Sequence, residues 1–192
     1  VGNHDYAERN DTYWLSTLRR KHLTMARDGA RFEYQGKSGK QQRVAVEEPR
    51  LAEHIREAAE LPGYELFRYQ NGSRKWENVD SEDVNAFIQE RMGEGFSSKD
   101  FRTWVASRLA VAYFPEAQAR KEKRPRQKLV NILLRLVAKE LGNTPNVCRT
   151  HYVHPAVLQV VETGKMPALT GTPETQELHA HSRAERLLLD LI

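Results

Sequence analysis

The sequence predicts a mainly α domain with a small antiparallel β-sheet, an α+β class, and three observations carry that reading. Residues 13–46 contain four short β-prone or alternating runs separated by turn signals. From residue 49 onward the apolar residues recur at the three-to-four spacing of one helical face. Helix start and stop residues (Pro49, Ser98, Gly142 and Pro155 among them) fall at the ends of those periodic stretches.

Residues 13–18, 22–27, 30–35 and 43–46 are the expected strands. Asp28-Gly29 is a two-residue hairpin signal, and Gly36-Lys37-Ser38-Gly39 is a second turn that places Lys37 at an exposed hairpin tip. The first helix is expected over residues 49–61, with Leu51, Ile55, Ala58 and Ala59 on one face, and Pro62-Gly63 ends it. Leu66, Phe67 and Tyr69 read as buried residues of an irregular link. Helices follow at residues 81–92 and 98–114, the latter capped by serine and burying Phe101, Trp104, Val105 and Leu109. Arg124-Pro125 is expected to open a helix with the stripe Leu129, Ile132, Leu133, Leu136 and Val137, which Gly142 ends. His154-Pro155 starts another helix, running to about residue 163. The domain organisation expected is a catalytic domain at 1–163, with the sheet at 13–46 and helices at 47–163, a Gly/Pro/Thr linker at 164–174 and a C-terminal helix at 175–192.

At 192 residues with 39% hydrophobic and 29% charged residues, the chain has enough apolar residues for a packed core, and global disorder is not expected. Thirty Lys and Arg against 26 Asp and Glu give a net charge of +4, which leans toward an anionic partner. The single cysteine, Cys148, excludes an internal disulfide and fits a reducing cytoplasm. No apolar run approaches the roughly 18 residues of a membrane span, and no signal peptide is recognised. The chain opens Val-Gly-Asn rather than on methionine, so an upstream natural segment is expected.

Residues 141–155, Leu-Gly-Asn-Thr-Pro-Asn-Val-Cys-Arg-Thr-His-Tyr-Val-His-Pro, carry the chemistry. With Gly-Lys-Ser-Gly at 36–39 and Lys-Asp-Phe-Arg-Thr-Trp at 99–104, they offer a phenol, lysines, an arginine and an amide, with no adjacent carboxylate cluster for a metal. That set suits phosphoryl transfer through a covalent tyrosyl phosphate. A tyrosine hydroxyl titrates near 10 in model compounds, so attack at neutral pH needs help. Charge building on the non-bridging phosphate oxygens suits a guanidinium fork, and a departing sugar oxygen needs a proton, which a lysine can deliver. Tyr152, Arg102 and Lys37 fit these roles, and Asn143 can donate a neutral hydrogen bond. Each has a plainer reading: Tyr152 as packing, Arg102 as a surface charge, Lys37 as a solvated turn and Asn143 as part of a helix C-cap. A P-loop is excluded because position 31 is Arg and strands follow. The pairs His151/His154 and His179/His181 lack a third metal ligand, and Cys148 reads as a buried small residue rather than a nucleophile. The basic run between Gln118 and Lys128 reads either as a solvated loop or as a phosphate-contacting arm.

Joint occurrence in order decides among these. The sequence resembles the catalytic domain of bacterial and poxvirus-like type IB DNA topoisomerases, over residues 1 to about 163. The matching stretches are Val-Gly-Asn-x-x-Tyr-Ala at 1–7, Tyr-Trp-Leu-Ser-Thr-Leu at 13–18 with His22, Gly-Lys-Ser-Gly at 36–39, and Leu-Pro-Gly-Tyr-Glu-Leu-Phe at 61–67. Ser-Glu-Asp-Val-Asn at 81–85, Lys-Asp-Phe-Arg-Thr-Trp at 99–104, and Leu-Gly-Asn-Thr-Pro through Tyr-Val-His-Pro at 141–155 complete the set. The resemblance implies that Tyr152 is the nucleophile joined to a DNA 3′-phosphate, Arg102 clamps the scissile phosphate, Lys37 is the general acid and Lys99 its proton-relay partner. Asn143 stands where poxvirus-type enzymes carry histidine and bacterial members commonly carry asparagine. Trp14 stands where glycine is usual. The resemblance implies no need for ATP or a metal and a monomer acting on double-stranded DNA, in the cytoplasm with the nucleoid. Tyr6, Arg19, Arg20, Lys21, Arg124, Arg126 and Lys128 are the expected DNA contacts. It also places a further catalytic arginine immediately before Val1 and a DNA-enclosing domain upstream. The 192-residue chain alone is therefore expected to relax supercoiled DNA poorly or not at all.

Two rivals remain. Tyrosine recombinases share this fold and nucleophile but usually carry His-x-x-Arg where this chain has Lys99-x-x-Arg102; the Leu-rich last helix is the feature that keeps them in view. The other rival is a non-catalytic DNA-binding relative.

Overall fold

The structure, a computed structural model, describes residues 11–36, 39–167 and 182–192. It divides into two compact units after Ser98. Tyr6, Lys37, His179 and most of the 164–174 linker lie outside the described residues.

The first unit is built on a three-stranded antiparallel sheet in the order β1 (Leu23–Ala26), β2 (Gly29–Gln35), β3 (Gln41–Val46). The first turn is Arg27-Asp28, one residue earlier than the expected Asp28-Gly29, because Gly29 is already in the sheet: Ala26 pairs with Gly29 and Leu23 with Phe32. Gly29 is required there: its φ is +143°, and a Cβ would lie 2.1 Å from the Val46 carbonyl oxygen. The strand expected at residues 13–18 does not form. Leu15–Thr17 is instead a 3-10 turn, and a second one, Arg20–His22, leads into β1. The Thr17 hydroxyl accepts the Trp14 amide at 2.9 Å, and His22 Nδ1 accepts the Arg19 amide at 3.1 Å. These local side-chain acceptors compete with sheet pairing for the backbone donors.

Helix α1 (Pro49–Glu60) begins at a proline and is capped by Glu48, whose carboxylate accepts from the Arg50 and Leu51 amides. Its buried face is Ala52 and Ile55, while Leu51 is half exposed. The link at residues 66–78 is more regular than predicted. β4 (Arg68–Gln70) and β5 (Trp76–Asn78) pair as a hairpin whose loop is held by Asn71 Oδ1, which accepts from the Ser73 and Lys75 amides. Helix α2 (Ser81–Met92) starts at a capping box formed by Asp80 and Asp83. The core of this unit joins Tyr13, Leu18, Ala30, Phe32, Ile55 and Leu66. An apolar cavity of about 450 Å³ adjoins it, lined in part by Leu18, Phe32, Val46, Ile55 and Phe67.

The second unit is helical. α3 (Ser98–Ala112) buries Ala106, Ser107, Ala110 and Val111 rather than the predicted Phe101, which is 50% exposed. α4 (Phe114–Lys123) occupies the start of what the sequence reads as a basic loop. α5 (Leu129–Glu140) begins five residues later than Arg124-Pro125 suggests, because residues 124–128 form a turn. α6 (Pro155–Thr163) ends at Gly164 in the left-handed region, and α7 (Arg183–Leu191) starts at a Ser182/Glu185 capping box. α5 is the centre of the core: Val130, Ile132, Leu133, Leu134, Val137 and Ala138 pack with Val157 and Val161 of α6 and with Ala184 and Leu188 of α7.

Candidate functional site

The end of α5 sets the site. Gly142 has φ +64°, its amide bonds back to the Lys139 carbonyl, and the Asn143 amide bonds to the Ala138 carbonyl at 2.9 Å. This paired closure is a Schellman cap, whose left-handed reversal favours glycine. The reversal leaves the Leu141 carbonyl outside the helical ladder, where two side chains donate to it: Arg102 Nη2 at 2.9 Å and Asn143 Nδ2 at 3.2 Å. Asn143 is thus both a cap residue and a neighbour of Arg102.

Past Asn143, Thr144 caps one helical turn, Pro145–Val147, and the chain widens into a π-helical turn, Cys148–Tyr152, closed by the Val153 amide on the Cys148 carbonyl at 2.8 Å. Such turns recur at functional sites because the extra residue re-aims a side chain. Tyr152 is the last residue of that turn and is half-buried. The Arg102 guanidinium carbon lies 5.4 Å from the centroid of its ring, within the range of a cation–π contact. Cys148 is fully buried beneath them; burial pushes its thiol up, and the Arg102 charge pulls weakly the other way. This is the environment of an inert structural thiol. Ser107 of α3 accepts the His154 amide at 2.9 Å and lies 3.5 Å from the Tyr152 carbonyl oxygen.

The second unit therefore brings together Arg102, Asn143 and Tyr152, from α3, the α5 cap and the π-turn. Lys99 is exposed on α3, three residues before Arg102 and so on the same helix face. Lys37 and Tyr6 lie outside the described residues. Among the described residues no cluster of three or more His, Cys, Asp or Glu side chains is placed to hold a metal ion.

The described basic residues expected to contact DNA fall in two places, one in each unit. Arg19 and Lys21 each place their charge 5.4 Å from the centroid of the Tyr13 ring, whose hydroxyl donates to Asp11 at 2.8 Å. Nε and Nη2 of Arg20 are buried without a hydrogen-bond acceptor among the described residues. His22 beneath them is held below its ordinary value, first by burial and then by the Lys21 and Arg19 charges. It therefore favours the neutral form and adds no further cation near neutral pH. In the second unit Arg124, Arg126 and Lys128 are exposed on the turn between α4 and α5. Arg124 lines a concavity of about 200 Å³ with Arg120, Lys123, Gln127, Ile132 and Arg135. Sequence reasoning did not single out Arg135 or Ser107, and it read Trp104 as core alone. The signal for Ser107 was a hydroxyl within the otherwise apolar run Ala106, Ala110 and Val111.

A half-buried tyrosine on a π-turn, an arginine over its ring and a backbone carbonyl shared by that arginine and an asparagine come together on a helical scaffold. Comparison with known proteins supplies the family. Residues 1–170 match the family described as eukaryotic DNA topoisomerase I, catalytic core, and the chain belongs to that family. It is 30% identical over 169 residues to a DNA topoisomerase 1B of Acanthamoeba polyphaga mimivirus, a match covering 84% of this chain and 50% of the relative. The chain spans about half the length of the curated relative it matches. That relative is viral, in keeping with the poxvirus-like part of the resemblance.

Proposed function

We propose that this chain is the catalytic part of a type IB DNA topoisomerase. It relaxes supercoiled double-stranded DNA by nicking one strand, letting the duplex turn and resealing it. The observation that carries the proposal is Arg102 stacked over Tyr152 and sharing the Leu141 carbonyl with Asn143, in a chain of the topoisomerase I family.

In this reading the Tyr152 phenol oxygen forms a bond to the scissile phosphorus as the bond from phosphorus to the 5′-oxygen breaks. The phosphate stays on the 3′ end as a tyrosyl ester. Arg102 and Asn143 hold the non-bridging oxygens where charge builds. Lys37 protonates the departing 5′-oxygen, and Lys99 passes it the proton. Religation is the same path reversed: the 5′-hydroxyl attacks, Tyr152 leaves and the proton returns. The bond energy is kept in the ester, so the cycle consumes no ATP. The expected DNA contacts away from the nick are Tyr6, Arg19, Arg20, Lys21, Arg124, Arg126 and Lys128.

Plasmid relaxation tests the proposal, with the 192-residue chain and the full-length natural protein assayed side by side. Tyr152→Phe is expected to abolish relaxation in both while leaving DNA retention on gels within about twofold. A Phe variant that relaxes DNA at the parent rate excludes Tyr152 and the proposal with it. Formation of a recombinant joint between two marked duplexes, in place of relaxation, moves the chain to the tyrosine recombinases.

A further inference from the structure

The nucleophile's backbone is held by a residue that touches no part of the reaction. Ser107 is only 2% exposed, on the core face of α3 beside Ala106 and Ala110. A hydroxyl buried there costs stability unless it is hydrogen-bonded. Its partners are the two backbone groups flanking Val153: it accepts the His154 amide at 2.9 Å, and the Tyr152 carbonyl lies at the outer limit of its reach, 3.5 Å.

The local path of the chain explains why those groups need it. The π-turn closes at the Val153 amide. Val153 and His154 are then extended, with ψ of 125° and 138°, before α6 begins at Pro155. The His154 amide therefore joins neither helical ladder, and a buried backbone donor without an acceptor is costly. Ser107 supplies the acceptor from another helix. That helix also carries Arg102, five residues earlier. One rigid rod thus holds both the guanidinium over the Tyr152 ring and the hydroxyl that pins the backbone on the ring's C-terminal side.

We propose that Ser107 is a positioning residue for Tyr152, fixing the phenol relative to Arg102 through the His154 amide and the Tyr152 carbonyl. The inference rests on the reading of Tyr152 as nucleophile. Small misplacements of a reacting group cost on the order of 10²-fold when they originate outside the chemistry. Ser107→Ala is therefore expected to slow single-turnover cleavage about 10- to 100-fold. Religation slows by the same factor, because the free and covalent states are affected equally. DNA affinity and the equilibrium fraction of adduct stay at parent values.

The test compares Ser107→Thr with Ser107→Val, which share a shape and differ in the hydroxyl, at a temperature where thermal unfolding shows both folded. Thr is expected to be at least about fivefold faster than Val in both directions. A readout independent of catalysis is the carbon NMR signal of labelled Tyr152 in DNA-free protein. It is expected to shift or broaden in the Ala variant while that of Tyr13 does not. The inference is overturned by parent rates with an unmoved Tyr152 signal, by equal rates for Thr and Val, or by a defect confined to DNA affinity. A parent protein that forms no adduct even when extended upstream sinks the topoisomerase reading instead, and the Tyr152 signal then decides whether Ser107 holds the tyrosine.

Discussion

Arg102 is the residue on which the most depends. It donates to the Leu141 carbonyl and lies over the Tyr152 ring, so its loss removes that brace together with the phosphate clamp proposed for it. Arg102→Ala is expected to slow cleavage of every substrate by roughly 10²- to 10³-fold. Arg102→Lys restores little, because a point charge does not reproduce the planar fork; burst cleavage rates measure both. Lys37 fails differently. Lys37→Ala is expected to be slow on ordinary DNA and close to the parent on a strand with sulfur at the bridging 5′ position, which departs without a proton. Absence of rescue there removes Lys37 as the general acid. In the other unit His22 sets a pH response. Burial first, then Lys21 and Arg19, lower its pKa from 6.5, against a smaller opposing pull from Asp11. Since the unfolded chain takes up the proton first, stability present above about pH 6.5 is lost as pH falls through the folded value. Protonation also removes the acceptor used by the Arg19 amide. Thermal unfolding of the first unit is expected at a lower temperature at about pH 5.5 than at about pH 7.5, and His22→Gln is expected to flatten that difference. An unchanged difference in the variant assigns it to another group.

Among the elements, α7 has the clearest consequence. It packs Ala184 and Leu188 into the core of its own unit, and Glu185 accepts from the Trp104 indole at 3.4 Å, two residues from Arg102. Burial raises the Glu185 pKa, but hydrogen bonds from Ser182 and Trp104 outweigh it and lower the net value. The carboxylate is therefore charged at neutral pH and able to hold the indole. Leu188 is fully buried, so Leu188→Ala is expected to cost about 2–5 kcal/mol in denaturant unfolding. A cost below about 0.5 kcal/mol, the range of ordinary surface substitutions, means that α7 is not docked as described. Its amphipathic Leu pattern was legible in the sequence; the capping box at Ser182 that marks its start was not used. β1–β3 and α1, α2 and α6 were legible for the same kind of reason, a strong period bounded by Gly or Pro. The β4–β5 hairpin was missed because three-residue strands are too short to show alternation, although Asn71-Gly72 stood at its turn. The strand expected at residues 13–18 failed because Thr17 and His22 give the backbone local partners that composition does not reveal.

For the whole molecule, a net charge of +4 is small, so the proposed DNA binding depends on where the charge lies. The basic concavity at the α4–α5 turn gathers Arg120, Lys123, Arg124 and Arg135. Neutralising Arg124, Arg126 and Lys128 together is expected to weaken binding about equally on unrelated sequences. The slope of log affinity against log salt is expected to fall by about 1 for each phosphate that these side chains no longer neutralise. An unchanged slope makes the turn a solvated loop. The Tyr152 constellation was legible in the sequence only as ordered motifs, since Arg102 and Tyr152 lie 50 residues apart along the chain, with Asn143 between them. Two features escaped it: the shared Leu141 carbonyl, which is backbone and leaves no compositional trace, and Ser107, whose partners are amide and carbonyl groups. The central claim is that Tyr152 forms a covalent 3′-phosphotyrosyl link to DNA. Its most direct test is to trap the protein on a duplex that loses its 5′ leaving strand after cleavage, digest the adduct, and identify the modified peptide and the DNA end by mass spectrometry. A nucleotide 3′-phosphate on Tyr152, and none in Tyr152→Phe, is expected; a link to another residue, or to a 5′-phosphate, rules Tyr152 out as the 3′-linked nucleophile.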